Sequence, residues 1–336
     1  MKRLHNKGFS AIEIIIVIAI VCAIGYAGWY AYGKTHKTSA SSTARTSDVL
    51  SKPTIPAIGA YLGAWVNPNN PTSAKTPGSQ SLSKEIAQLP SFNQAIGKHV
   101  AILHIYTPLK DGFPLASVNA VSQNGSIPLI DLSCSSISHL TGGQEDSTLA
   151  TYAQAAKSYA KPIFLRWYWE MNLDDSGNKA CGGYNNGTAY IAAWRHIWSI
   201  FNAAGASNVA FVWCPSVQSD ASQYYPGDKY VDWISVDGYD RQHQGISAFT
   251  DVFSKFYKQW VGSAKPIMVA ETGATSPDQA QYIQGIAQTL PNQFPQIKAL
   301  VYFDAVGPAA DWGLHGDGVT AFSNLAKSSY FSFTGQ

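Results

Sequence analysis

Charged residues make up only 13% of this 336-residue chain, about half the usual share. Lys and Arg number 23 against 21 Asp and Glu, a net charge of +2. The basic excess or stripe of a nucleic-acid-binding protein is therefore missing, and no nucleic-acid partner is expected. Cysteine is equally sparse. Four residues, with no CxxC and no Cys/His cluster, exclude a disulfide-framework miniprotein and a zinc site; no metal or cofactor is expected. What the chain does have is apolar and aromatic. Hydrophobic residues reach 46%, with 10 Trp, 18 Tyr and 14 Phe, so a large core is available and disorder over most of the length is excluded. A surface kept soluble by Ser, Asn, Gln and Tyr suits an extracytoplasmic carbohydrate-active protein.

The first 34 residues read as one unit. Lys2, Arg3 and Lys7 form a basic flank, and Ile14 to Tyr32 is 19 residues without a charge. As a helix that stretch is about 28 Å long, enough to span a bilayer. The basic flank keeps its own side inside, which places everything after Lys34 outside. A cleaved secretory signal is the alternative, but no small-x-small cleavage site closes the run. The segment KGFSAIEIIIVIAI, Lys7 to Ile20, resembles the type IV prepilin leader, with Gly8, Phe9 and Glu13 at the motif positions. That resemblance implies cleavage between Gly8 and Phe9 by a prepilin peptidase, methylation of the new amino terminus, and a helix able to pack with pilus subunits. Residues 35–56, rich in Ser and Thr and free of aromatics, read as a flexible linker.

Residues 57–336 match the size of one (β/α)8 barrel, which takes about 250 residues. Eight short apolar runs recur there, starting at Ala60, Val100, Ile127, Pro162, Val209, Val231, Pro266 and Ala299. Helical patterns lie between them; Tyr190, Trp194, Ile197, Trp198 and Phe201 share one helix face. Eight such units predict an α/β fold, a closed TIM barrel behind a single N-terminal transmembrane helix.

Barrel enzymes work at the C-terminal ends of their strands. The polar side chains there are His104 and Tyr106, Asp131, Arg166 and Glu170, Trp213, Asp237 and Tyr239, Glu271, and Asp304. Glu170 ends the fourth run and Glu271 the seventh, on opposite sides of the mouth. Two facing carboxylates, one protonated and one ionised, are what glycoside hydrolysis needs, and a gap of about 5–5.5 Å goes with retention. The bland reading of each is a rim salt bridge to an arginine.

RWYWEMN (Arg166 to Asn172), YYPGDKYVDWISVDGYD (Tyr224 to Asp240), KPIMVAETGA (Lys265 to Ala274), the helix Tyr190 to Trp213 and YFDAVGPAADWGL near the end together resemble glycoside hydrolase family 26. The resemblance implies a retaining endo-β-glycosidase, with β-1,4-mannan, the family's commonest substrate, expected here and mixed-linkage β-glucan or β-1,3-xylan as the alternatives. It makes Glu170 the general acid/base, Glu271 the nucleophile, Tyr239 its hydrogen-bonding tyrosine and Asp237 a sugar contact. Arg166 is expected to support the nucleophile electrostatically. The family's His before the acid is Trp169 here, and LDDSGNKACGGYNN replaces the family's aromatic loop, leaving Tyr184 as its one ring. Those departures leave the sugar open. His104 is a candidate for a hydroxyl near the cleavage site, and Trp213, Trp312 and Tyr225 are candidate stacking platforms. Asp174, Asp175 and Asn178 lack a full calcium-loop pattern and read as a solvated loop. Cys134 pairs with either Cys181 or Cys214. A polysaccharide-binding, pilin-like adhesin is the competing reading; it would have no need of Glu170, Glu271 and Tyr239 together.

Overall fold

The eight predicted runs are eight parallel strands, closed in chain order into a barrel. They are β1 Tyr61–Asn67, β2 Ile102–Thr107, β3 Ile127–Leu132, β4 Ile163–Trp167, β5 Val209–Trp213, β6 Trp233–Asp240, β7 Ile267–Ala274 and β8 Ile297–Ala305. β1 pairs with β8 along its whole length, from Tyr61 opposite Ala299 to Asn67 opposite Ala305. The computed structural model of the chain describes residues 50–67, 79–241, 243–307, 310–332 and 334, with backbone only for 79–85. Gly8, Phe9, Glu13 and the apolar span lie outside them. Among the described residues no helix is long and apolar enough to cross a membrane.

Strand parity sorts the side chains. On β4, Ile163, Leu165 and Trp167 join the core between barrel and helices, while Phe164 and Arg166 point inward. The barrel interior is filled low down by residues such as Ile102, Leu129, Phe164, Val212, Met268 and Val301. Apolar interior residues of this kind make it a packed core and not a pore. The outer core rests on helices such as Gly187–Ala204, whose Tyr190, Trp194, Ile197 and Phe201 are buried while Trp198 is half-buried. Asn186 caps its start through its side chain, and Gly205 ends it at φ 72°, the left-handed position that glycine takes without strain.

The linker ends earlier than its composition suggests. Lys52 reaches Asp232 at 2.6 Å, and the Tyr61 hydroxyl donates to the Thr54 carbonyl at 2.7 Å. Residues 50–56 therefore lie against the barrel although they carry the Ser/Thr/Pro signature of a tether.

Candidate active site

Above the apolar filling sits a charged layer centred on Arg166, which is wholly buried. Its Nε donates to Asp131 Oδ1 at 2.5 Å and one terminal nitrogen to Asp131 Oδ2 at 2.8 Å. The other terminal nitrogen meets both oxygens of Asp237, at 2.9 and 2.8 Å. A further hydrogen bond goes to Glu271 Oε1. Only the planar fork of arginine serves three carboxylates at once. Burial works against the guanidinium's charge, but Asp131, Asp237 and Glu271 outweigh it and raise its pKa well above the ordinary value. The same pairing, together with His104, overcomes burial at Asp131 and holds its carboxyl below the usual range. Asp237 moves the other way: burial pushes it up, Glu271 and Glu170 add to the push, and Arg166 opposes it.

A bulge aims Glu271. β7 carries one residue more than its neighbour where Val236 faces Val269 but Asp237 faces Glu271. Such an insertion re-aims the side chain that follows, and Ala270 and Glu271 consequently both serve the interior. Tyr106 donates to Glu271 Oε1 at 2.6 Å and Tyr239 to Oε2 at 2.5 Å. Burial and then the Glu271 carboxylate raise both phenols well above their ordinary value, so each keeps its proton and remains a donor.

Glu170 follows β4 in a left-handed backbone conformation, φ 53°, two residues after Tyr168 at φ 50°. Its N–H donates to the Cys214 carbonyl at 2.8 Å. The side chain is half-buried. Desolvation and, second, the Glu271 carboxylate push its pKa up to about 7, with Arg166, Arg241 and Ser216 pulling the other way. Glu170 is thus the desolvated glutamate whose affinity for a proton is raised, and Glu271 the one surrounded by donors.

The remaining expected site residues divide. His104 lies in the layer, its Nδ1 2.9 Å from Asp131 Oδ2 and 3.1 Å from the Tyr106 hydroxyl, with Nε2 buried and unpartnered. Trp169 is half-buried at the mouth, edge-on to Tyr106 at 5.2 Å and over the Arg166 guanidinium at 5.2 Å. Trp312 is 4% exposed and packs on the Tyr239 ring at 4.7 Å, backing that tyrosine instead of offering an open face. Asp237 is 0% exposed: Arg166 and the Cys214 thiol, 3.2 Å from Oδ1, take up its carboxylate, which leaves no atom for a sugar. Trp213 is also shut away. By parity it faces the outer core, between Tyr225 and Trp260, and the inward residue at that level is Cys214. Tyr225 shares that packing and binds Asp228, and Asp304 points outward to accept the Leu314 N–H. Tyr184 is half-buried and carries the Lys179 ammonium over its ring. Cys134 and Cys181 form the disulfide, with Cys214 free and buried.

Sequence reasoning placed Tyr106 and Asp131 at strand ends without giving them work. The inward parity of His104, Tyr106, Asp131 and Arg166 was the available signal. Cys214 carried none, since a single thiol after an apolar run reads as core. His104, Asp131 and Glu271 lie close enough to hold a cation, but Arg166 already occupies both carboxylates.

A closed (β/α)8 barrel with one glutamate just after β4 and another on β7, both at the mouth, has the form of a glycosidase type of site. The glycosyl hydrolase family 26 model matches residues 101–307, and the chain belongs to that family. It is 31% identical over 277 residues to Endoglucanase H of Acetivibrio thermocellus, covering 76% of this chain and 29% of that protein. Mannan endo-1,4-beta-mannosidase A and B of Caldalkalibacillus mannanilyticus is 35% identical over 121 residues, 32% of this chain and 22% of that protein. The chain thus spans under a third of the length of these curated relatives. Among solved structures, a β-mannanase of the family from Bacteroides ovatus superposes with a TM-score of 0.58 at 13% identity, covering 83% of this chain and 92% of that one. A Bacillus subtilis mannanase gives 0.54 at 16%, covering 82% and 86%. At those identities the likeness speaks for the fold.

Proposed function

We propose that the chain is a retaining endo-β-glycosidase, with Glu271 as nucleophile and Glu170 as acid/base. The observation that carries this is the set of three donors on Glu271 across the mouth from a desolvated Glu170. Arg166 and Tyr106 fill Glu271 Oε1 with donors, while Oε2 accepts Tyr239 and keeps a free lone pair. In the first step that oxygen bonds to the anomeric carbon as the glycosidic C–O bond breaks, and Glu170 gives its proton to the leaving oxygen. In the second, ionised Glu170 takes a proton from water as the water oxygen attacks the same carbon and releases Glu271.

The substrate we infer is a β-glucan. Two features support it over mannan: the long alignment with a protein named as an endoglucanase, and Trp169 in the place of the family's His. Mannan is the second reading, supported by the mannosidase relative. Reducing-sugar release by the full-length protein from mixed-linkage glucan, mannan, glucomannan and β-1,3-xylan tests both. Release from mannan alone would reverse the order, and binding without release from any of them would favour the adhesin.

With Glu170 protonated below about 7, turnover of polysaccharide is expected to fall as pH rises through that value. Glu170→Ala should remove this alkaline limb and cost roughly 10²–10⁴-fold on polysaccharide. Glycosides with activated leaving groups need no proton, so their first step should be spared. Equal losses in kcat/KM on both substrate types would refute the acid role.

We further propose that the N-terminal segment tethers the enzyme outside the membrane. The prepilin-like motif at Gly8, Phe9 and Glu13 supports this, and the Cys134–Cys181 disulfide suits an oxidising exterior. Mass analysis of the mature protein should find N-methylated Phe9 at its start; an intact Met1 in the membrane fraction would exclude prepilin processing.

A further inference from the structure

The segment that replaces the family's aromatic loop has no assigned role, and its most buried polar residue is Asn178, 5% exposed. The solvated loop expected of Asp174, Asp175 and Asn178 is not what forms. Asp174 pairs with Lys179, and Asp175 caps the short helix Ser176–Cys181 by accepting the Asn178 N–H at 2.7 Å. The Asn178 side chain turns toward the mouth. Its Nδ2 donates to the Glu170 carbonyl at 2.9 Å and to the Leu173 carbonyl at 2.8 Å. Its backbone carbonyl accepts the Tyr168 hydroxyl at 3.0 Å. One residue therefore holds both positions of the β4 loop that sit at positive φ, Tyr168 and Glu170. Non-glycine residues persist in that region only when their surroundings over-determine them.

Two further features hold Asn178 in turn. Cys181, three residues on, is bonded to Cys134 just beyond β3. Gly183 lets the tyrosine close on the loop, because a Cβ there would lie 2.5 Å from the Tyr168 hydroxyl. The chain of contacts runs from β3 through the disulfide to Asn178 and from there to the backbone of Glu170.

We infer that Asn178, anchored by the Cys134–Cys181 bridge, is a positioning residue that locks Glu170 into its proton-donating place. This rests on the acid/base reading of Glu170 given above. Without the amide, Glu170 keeps only the Cys214 carbonyl on its N–H and the Leu173 N–H on its carbonyl, so the turn at φ 53° loosens and its carboxyl moves toward water. The groups facing it are Glu271 from β7, Arg166 from β4, Asp237 and Tyr239 from β6, Arg241 after β6 and Ser216 after β5. Desolvation and Glu271 are the strongest of these influences, so its affinity for a proton should drop as it moves away.

The test is Asn178→Ala in the full-length protein, read in two ways. The first is a ¹³C-glutamate NMR titration, with Glu170→Gln assigning the signal. The wild-type midpoint is expected near 7 and the variant's close to that of an ordinary carboxylate. The second is turnover on polysaccharide against a dinitrophenyl glycoside. A misplacement on the order of 1 Å costs about 100-fold, and that loss should appear in kcat/KM for polysaccharide while kcat/KM for the dinitrophenyl glycoside, which reports only the first step, is spared. Cys134→Ser with Cys181→Ser should move both readouts the same way by a smaller amount, and serves if Asn178→Ala does not fold. An unmoved midpoint, or equal losses on the two substrates, overturns the inference. If the wild type cleaves nothing, the proposed function fails, and the titration still decides this one.

Discussion

Glu271→Ala is expected to lower turnover by about 10⁴-fold or more on polysaccharide and activated glycosides alike, with little loss of stability. The reasoning starts from the contacts the variant removes. Tyr106, Tyr239 and Arg166 all aim donors at this carboxylate, yet each keeps something else. Arg166 retains Asp131 and Asp237, the Tyr106 oxygen still faces His104 Nδ1, and the freed protons of Tyr106 and Tyr239 turn to water that enters in place of the lost carboxylate. Removing one of three carboxylates around a single guanidinium also relieves repulsion with Asp237. The fold should therefore survive, and the chemistry should not. A small anion such as azide, placed where the carboxylate was, should restore part of the turnover on activated glycosides and leave a glycosyl azide of inverted configuration. Wild-type turnover in Glu271→Ala, or loss confined to substrates with poor leaving groups, would remove the nucleophile assignment.

Arg166→Leu should have the largest effect on stability. It leaves Asp131, Asp237 and Glu271 buried without their shared cation, and breaking a buried pair in this way costs about 3–5 kcal/mol. A fall in Tm of about 10 °C is the expected scale. The sign with pH follows from the same charges. Stripped of the guanidinium, the carboxyls bind protons more readily in the folded state than in the unfolded one. The variant's deficit should therefore shrink as pH falls and grow as pH rises through the carboxyls' raised folded range. Arg166→Lys should recover only part of the loss, since an ammonium is a point charge and lacks the fork that reaches three partners. Thermal unfolding of wild type and both variants between pH 4 and pH 8, with Glu271→Ala as a reference, checks this. A deficit below about 1 kcal/mol, the range of a solvent-exposed ion pair, and flat with pH would mean that Arg166 does not balance the layer.

The two predictions separate what was readable in the chain from what was not. The period-two apolar runs and the helical patterns between them specify eight βα units, and a sheet of that many parallel strands closes on itself. Glu170 and Glu271 are legible because each is a charged residue directly after an apolar strand, where burial without a purpose is costly. Arg166 is legible for the same reason. Its partners are not, because Asp131, Asp237 and Glu271 come from three different strands, and which carboxylates share one guanidinium depends on barrel closure.

Trp213 and Asp237 show the limit most clearly. Both stand at strand ends in the sequence, and both looked ready to meet a sugar. Parity turns Trp213 to the outer wall, and the fork of Arg166 consumes Asp237. The bulge at Ala270 has no signature in KPIMVAETGA, although it aims the nucleophile. Local periodicity and residue type thus determined the barrel and the pair of glutamates. Tertiary structure decided their surroundings, because the burial of Glu170 and the donors around Glu271 are brought together across the mouth from different strands.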